Sequence, residues 1–344
     1  VRAALLHAPG DLRIEECDDP EPGPRELVLR IAAALSCGTD VKSVARGHPS
    51  IAGYPSRLGH EFAGVVERVG PGVEFAVGDE VFCADSAPCG HCRACARGRE
   101  SLCEDLLYLL GGFGERLLVP ERVVRRNVHR LPEGLTLQLA PLAEPLACAV
   151  HALDACEVGE SMAILGAGSL GLMLCALAAS AGARPIVLDP HPERLAAAER
   201  FGAGATVVAE RGPADVERVR ELTGGADLVI EAVGRPESWE LAVAMTAPGG
   251  TANLFGGCAP GSTFTIPTAR VHYEGVRVLG TYHHTPRHIA RALDVLAEGG
   301  WPWVELCGPV IGLDELPAAL AGRLHDPVPP KYTVVPDPPP SRGP

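Results

Sequence analysis

Two rhythms of apolar and polar residues divide the chain. Up to about residue 155 the apolar positions come in short β-branched or alternating runs: LVLRIAAAL (27–35), FAGVVERVG (62–70), DEVFCA (79–84) and ERLLVP (115–120). Pro and Gly punctuate them, as in PEPGP and GPG, so this half predicts strands joined by turns and is mostly β. From Ser161 the pattern changes to apolar strands alternating with helical segments. The order is MAIL, a helix from Ser169, PIVL, helix PERLAAAERF, TVV, helix ADVERVRELT, DLVIEAV, helix PESWELAVAMT, TANLF and VRVLG. That alternation predicts an α/β architecture with a doubly wound parallel sheet. After Gly280 come a His-rich loop, a helix near IARALDVLAE and a last strand-like KYTVV, with no further βα unit. The expected domains are therefore 1–155, 156–280, and a segment 281–344 that packs back on the first. The Pro-rich end PDPPPSRGP is expected to fray.

Length and composition allow both domains a core: 344 residues, 47% hydrophobic and 21% charged. A net charge of −13 repels phosphate backbones, so nucleic acid and anionic membranes are not expected partners. Arg93, Arg97 and Arg99 form a small basic cluster that reads as a solvated surface. Residues 161–183 carry no charge and imitate a membrane span, but Gly166, Gly168 and Gly171 interrupt them after a short strand. A buried strand, tight turn and buried helix fit better. Twelve cysteines, with charges following VRAALLHAPG at once, suggest a reducing cytoplasmic setting without disulfides.

Four of those cysteines carry the strongest local signal. Cys89, Cys92, Cys95 and Cys103 lie within CGHCRACARGRESLC, where Gly, Arg and Glu make a poor core segment. Four thiolates complete the tetrahedral sphere of zinc and leave no position for water or substrate, so this metal site is expected to be structural. A second signal is GAGSLG, comprising Gly166, Gly168, Ser169, Leu170 and Gly171 at a strand-to-helix turn. The glycines suit a tight turn, close approach of backbone to a pyrophosphate and close packing of helix on strand, the Rossmann dinucleotide fingerprint. Asp189 ends the next strand eighteen residues on, where its carboxylate can accept the ribose hydroxyls and repel a 2′-phosphate, favouring NAD over NADP. Arg194 either flanks the adenine or ribose or is an exposed first-turn residue.

A catalytic zinc keeps an open position and mixes ligand types. Cys37 in SCGTD, His60 and Glu61 in LGHE, and Glu144 in LAEPLACAVHA are the candidates in or just after the β-rich half. Together with GHEFAGVVERVG, VGDEVF, the four-cysteine lobe, GGFGERLLVP, GAGSLGL and DLVIEAVG, they carry a resemblance over nearly the whole chain. The sequence resembles zinc-dependent medium-chain dehydrogenases/reductases, most of all the branch of sorbitol, threonine and related polyol or amino-alcohol dehydrogenases. The resemblance implies a GroES-like catalytic domain beside the Rossmann domain and two zinc ions per chain. It assigns Cys37 and His60 to the catalytic zinc, with Glu61 a direct ligand or immediately behind the metal. Glu144 is expected to ligate directly or through water, and Thr39 to contact the substrate hydroxyl and relay its proton.

On that reading the zinc acidifies a secondary hydroxyl and NAD accepts the hydride, reversibly giving a ketone. One departure from the family concerns the relay: a histidine commonly follows the ligand cysteine by five residues, and here Lys42 stands there. Lys42 takes over, or the proton leaves through water, or the lysine simply lies in solvent. Ser43, Arg46, His48, Tyr54, Tyr282, His283 and His284 match the substrate loops, and their polarity favours a hydroxylated or amino-bearing alcohol. His283 and His284 equally suit a surface crossover loop. Competing readings are a biosynthetic aminocyclitol dehydrogenase of the same family and a non-catalytic zinc and nucleotide binding protein. The family resemblance also implies a homodimer or homotetramer.

Overall fold

The structure, a computed structural model, describes residues 1–48, 51–159, 161–322 and 331–336. The Pro-rich end beyond Pro336 lies outside the described residues. Two compact units emerge, one built from 1–147, 284–299 and the described part of 303–344, the other from 148–283 with 300–302.

In the first unit β1 (Arg2–Ala8) pairs antiparallel with β2 (Asp11–Glu16). The nine-residue β3 (Leu27–Leu35) has the burial pattern of a strand covered on both faces, with Arg30 its one exposed residue. Continuous burial explains why its apolar residues do not alternate. Helix α1 (Gly38–Arg46) follows it, then β4 (Ser56–Arg57) beside β1, and β5 (Glu61–Val69) beside β3. The antiparallel register sets Leu35 opposite Glu61, which brings the end of β3 and the start of β5 together. Next come β6 (Glu80–Cys83), β7 (Ser86–Ala87), the short α2 (Arg93–Ala96), β8 (Leu107–Tyr108) and β9 (Arg116–Val119). Helix α3 (Glu121–Asn127), β10 (Val128–Arg130) and α4 (Ala143–Asp154) complete this stretch, and the division between units falls inside α4. Fully buried Phe62, Phe113, Leu27, Leu29 and Leu58 anchor the core.

The second unit is a six-stranded parallel sheet with helices between successive strands. Its elements are β11 (Met162–Leu165), α5 (Ser169–Ser180), β12 (Ile186–Asp189), α6 (Pro192–Arg200), β13 (Ala205–Val208) and α7 (Pro213–Thr223). They continue with β14 (Ala226–Glu231), α8 (Pro236–Met245), β15 (Thr246–Leu254), α9 (Thr268–His272) and β16 (Arg277–Gly280). The strand order β13-β12-β11-β14-β15-β16 is the Rossmann order, reversing at β11. All four residues of β11 are buried, as is most of α5, which accounts for the charge-free run. Twelve residues of helix reach about 18 Å, and no described helix is long and apolar enough to cross a membrane.

The chain then rejoins the first unit with α10 (Pro286–Glu298), β17 (Val310–Ile311), α11 (Leu316–Gly322) and β18 (Thr333–Val334). β18 lies antiparallel to β3, with Thr333 opposite Leu35 and Val334 opposite Ala34. Thus the KYTVV segment of the C-terminal region abuts the end of β3, where the chemistry gathers.

Candidate active site

The end of β3 and the start of β5 deliver one donor cluster: Cys37, His60 and Glu61 offer ligand atoms within 4.8 Å of one another. Asp40, in the first turn of α1, organises two of them. Its Oδ2 accepts the Cys37 backbone N–H at 2.7 Å, and its Oδ1 lies 3.2 Å from His60 Nδ1. That bond fixes the ring so that Nε2 is the nitrogen left for a metal, as a carboxylate behind a histidine ligand does in metal sites. Burial opposes charging of His60, yet Asp40 and Cys37 hold its pKa well above the ordinary range. Burial likewise opposes ionisation of Cys37, but Lys331 and the hydrogen bond with His60 outweigh it and bring the thiol to about 6. A thiolate is the form that binds zinc.

Glu61 is fully buried, and both its oxygens accept from Lys331 Nζ, at 2.6 and 2.7 Å. Lys331 Nζ also donates to Ser36 O at 3.3 Å, and Ser36 Oγ accepts from Tyr332 N at 2.8 Å. Burial disfavours the ammonium, but Glu61 and Cys37 raise the Lys331 pKa and keep the cation. Glu61 therefore sits beside the cysteine and histidine with its carboxylate engaged from behind. Glu144, at the start of α4 and 6% exposed, belongs to a different cluster. It groups with Asp85 and His284, although it lies within electrostatic reach of His60 and Cys37. Burial and the Asp85 carboxylate push its pKa up to about 7.

Thr39 is half-buried two residues after Cys37, in the first turn of α1. Lys42 and Arg46 on the same helix are exposed, Ser43 is buried and His48 half-buried. Tyr54 and Tyr282 are exposed, and His283 is half-buried with φ 60°. His284 is 2% exposed, so the surface reading of this residue is corrected: it is a core histidine. Asp40, Lys331, Asp85 and His284 as a buried partner are the residues that sequence reasoning missed. Asp40 was accessible to it, since an Asp three residues after Cys37 at a helix start is a capping signal. The other contacts join residues 270 and 199 positions apart and have no local signature.

The four-cysteine lobe is compact. Cys89 Sγ lies 4.0 Å from Cys95 Sγ, and Cys92 Sγ 3.9 Å from Cys103 Sγ. Tetrahedral zinc with Zn–S near 2.3 Å requires S···S of about 3.8 Å, so the donor set fits the ion. Backbone N–H groups of Cys89, Cys92 and Cys95 point at the sulfurs of Cys103, Cys89 and Cys92, at 3.2, 3.4 and 3.5 Å. Such donors stabilise thiolate, and those of Cys95 and Glu104 bring Cys92 to about 6. Gly90 lies against the guanidinium of Arg126, and its φ of +82° is the left-handed backbone that favours glycine.

In the second unit the turn between β11 and α5 has the shape of a phosphate cradle. Gly166 has φ +100°, and a Cβ on Gly171 would stand 1.8 Å from Gly166 O, so only glycine allows helix and strand to close up. A Cβ on Gly168 would meet nothing within 4 Å, leaving the α5 N-terminus open, and no side chain caps it. Ser169 and Leu170 form its first turn and are half-buried. Asp189, 3% exposed at the end of β12, accepts from Ala167 N at 2.8 Å and His191 N at 2.9 Å. Those bonds lock its carboxylate at the lip of the glycine turn. Arg194 Nη1 is 3.6 Å from Asp189 Oδ2, and its side chain is 22% exposed. It is therefore a neighbour of the Asp189 carboxylate and not a fully solvated helix residue.

Comparison with known proteins follows the same division. Residues 23–133 match the alcohol dehydrogenase GroES-like domain, and residues 169–298 match the zinc-binding dehydrogenase family. An L-threonine 3-dehydrogenase of Saccharopolyspora erythraea is 35% identical over 307 residues, 85% of this chain and 86% of that protein. The chain belongs to the zinc-type medium-chain alcohol dehydrogenases. A sorbitol dehydrogenase of Bombyx mori is 33% identical over 292 residues, 81% of this chain and 83% of its own length. Among solved structures, a putative zinc-binding dehydrogenase of Sinorhizobium meliloti, bound to NADP, superposes with TM-score 0.86 at 30% identity. That match covers 97% of this chain and 99% of the other. Membership makes the chain an oxidoreductase, with a GroES-like domain and a parallel Rossmann sheet.

Proposed function

We propose that this protein oxidises a secondary alcohol of the polyol, sugar-alcohol, cyclitol or amino-alcohol class, reversibly, with NAD. The observation that carries the reading is the thiolate-imidazole-carboxylate grouping of Cys37, His60 and Glu61, with Glu144 in electrostatic reach. In the same chain lies a glycine turn whose geometry excludes a Cβ at Gly171. When bound, zinc supplies a Lewis acid for the carbinol oxygen and the dinucleotide supplies a hydride acceptor. Cys37 and His60 would hold the metal with Glu144, directly or through water. Asp40 orients His60, and Lys331 holds Glu61 behind the ligands. Thr39 would take the substrate proton at its Oγ1 and pass it outward. Lys42 lies exposed on the same helix, and water would receive the proton there, since an ammonium is a donor only.

Gly166, Gly168, Ser169, Leu170 and Gly171 would cradle the pyrophosphate at the α5 N-terminus. The Asp189 carboxylate favours ribose hydroxyls over a 2′-phosphate, which supports NAD. Arg194, 3.6 Å from it, is a feature that supports NADP. A sequence with twelve cysteines accords with a reducing, cytoplasmic compartment. Among the described residues β16 is the terminal strand of its sheet, a position that accords with a homodimer or homotetramer. The test is a panel of polyols, cyclitols, amino alcohols and simple secondary alcohols, scored by NADH absorbance and repeated with NADP. Zinc-dependent NAD reduction with a hydroxylated substrate supports the reading. Turnover that survives removal of the exchangeable zinc, or a zinc-replete, dinucleotide-binding protein inert toward the whole panel, overturns it.

A further inference from the structure

Asp85, His284 and Glu144 form a buried trio of which the proposed reaction uses only the last. Asp85 lies between β6 and β7, His284 just before α10 and Glu144 at the start of α4. They are 5%, 2% and 6% exposed. His284 Nε2 is 2.9 Å from Asp85 Oδ1 and 3.7 Å from Glu144 Oε1. A nitrogen facing two carboxylate oxygens must carry its proton, so Nε2–H donates to Asp85 and stands in ion-pair range of Glu144. The trio's ligand atoms all lie within 4.8 Å of one another. Two buried carboxylates so close repel strongly in a medium less polar than water, and the imidazole is the donor between them.

We propose that His284, held by Asp85, is a positioning residue of the metal centre: its Nε2–H separates Asp85 from Glu144 and keeps the Glu144 carboxylate presented to zinc. The proposal rests on the reading of Glu144 as a zinc-holding residue. Without the imidazole the two carboxylates face one another directly, and Glu144 turns away or is lost as an anionic donor. Groups that hydrogen-bond or orient a metal ligand commonly change metal affinity by about 10–100-fold when removed. Asp85 matters here in two opposed ways, as the anchor of His284 and as the charge from which Glu144 must be shielded. That opposition makes a specific signature.

The experiment is zinc competition against a chelating dye, using the full chain loaded with zinc. His284→Ala is expected to weaken the exchangeable zinc by about 10–100-fold, while the four-cysteine zinc is retained and reports an intact fold. His284→Phe fills the ring's space without a donor and carries the same expectation should the alanine variant not fold. Adding Asp85→Asn to either is expected to restore at least about tenfold of the lost affinity, because the repelling charge is gone. A mere packing role would show no such rescue. Affinity within about threefold of wild type for both His284 variants, or a double variant no tighter than the single, overturns the proposal alone. If Glu144→Gln leaves zinc affinity unchanged, Glu144 holds no metal, and the reading of that residue falls together with the proposal.

Discussion

At the scale of single residues, the pair Lys331 and Glu61 governs how the cluster around Cys37 is charged. Both side chains are buried, at 2% and 0% exposure, and each satisfies the other, with Nζ 2.6 and 2.7 Å from the two carboxylate oxygens. Removing one member of such a pair strands a charge away from water, which costs about 3–5 kcal/mol. Lys331→Met is therefore expected to lower the unfolding free energy, extrapolated from urea titration, by an amount in that range. Adding Glu61→Gln should recover most of it, because neither member of the pair is then left as an unpaired charge. Equal stabilities of the single variant and wild type would show that the pair is not an ion pair. The roles expected of Cys37, His60 and Glu61 rested on motifs of three or four residues, which sequence displays directly. Lys331 belongs to no motif. It reaches Glu61 because β18 lies antiparallel to β3 with Thr333 opposite Leu35, a register set by packing and not by spacing.

At the scale of elements, the turn from β11 into α5 turns local backbone geometry into a binding surface. Gly171 lies so close to Gly166 O that an alanine Cβ would stand 1.8 Å from it. Gly171→Ala must therefore push α5 away from β11 and move the N–H groups at the start of α5, which are proposed to hold the pyrophosphate. The expected outcome is loss of NAD binding by at least about tenfold in calorimetric titration, or about 1.4 kcal/mol. The four-cysteine zinc should be untouched, because the lobe lies in the other unit. Gly168→Ala is the informative control: its Cβ meets no protein atom, so the fold should survive, and any loss of affinity reports the cofactor's own approach. The glycine spacing and the alternation of strand and helix around it were legible in the sequence because both follow from backbone sterics within a few residues. Less legible was Asp189 as a lock on its own turn. Its bond to Ala167 N spans 22 positions and exists only because β11 and β12 lie side by side, Leu165 opposite Leu188.

At the scale of the whole molecule, the two cysteine-containing sites should respond differently to the same insult. Cys37→Ala is expected to abolish turnover and leave one zinc per chain, with dinucleotide affinity unchanged. Cys89→Ala should instead lower thermal stability as the lobe loses its metal, because a structural zinc contributes directly to folding. Metal analysis, calorimetry and thermal melts on the two variants check both outcomes, and equal loss of stability would contradict the division of roles. Sequence alone determined whatever depends on near neighbours. That includes strands where apolar runs meet Pro and Gly, the α/β alternation, the glycine turn, and four cysteines close enough to share one ion. Tertiary structure alone decided which buried charges face each other. Lys331 meets Glu61 and His284 meets Asp85 across 270 and 199 positions, and Glu144 falls in with the latter pair and outside the cluster of Cys37. The physical reason is range: backbone sterics and periodicity act over a few residues, whereas a charge is balanced by whatever the folded chain brings within a few ångströms.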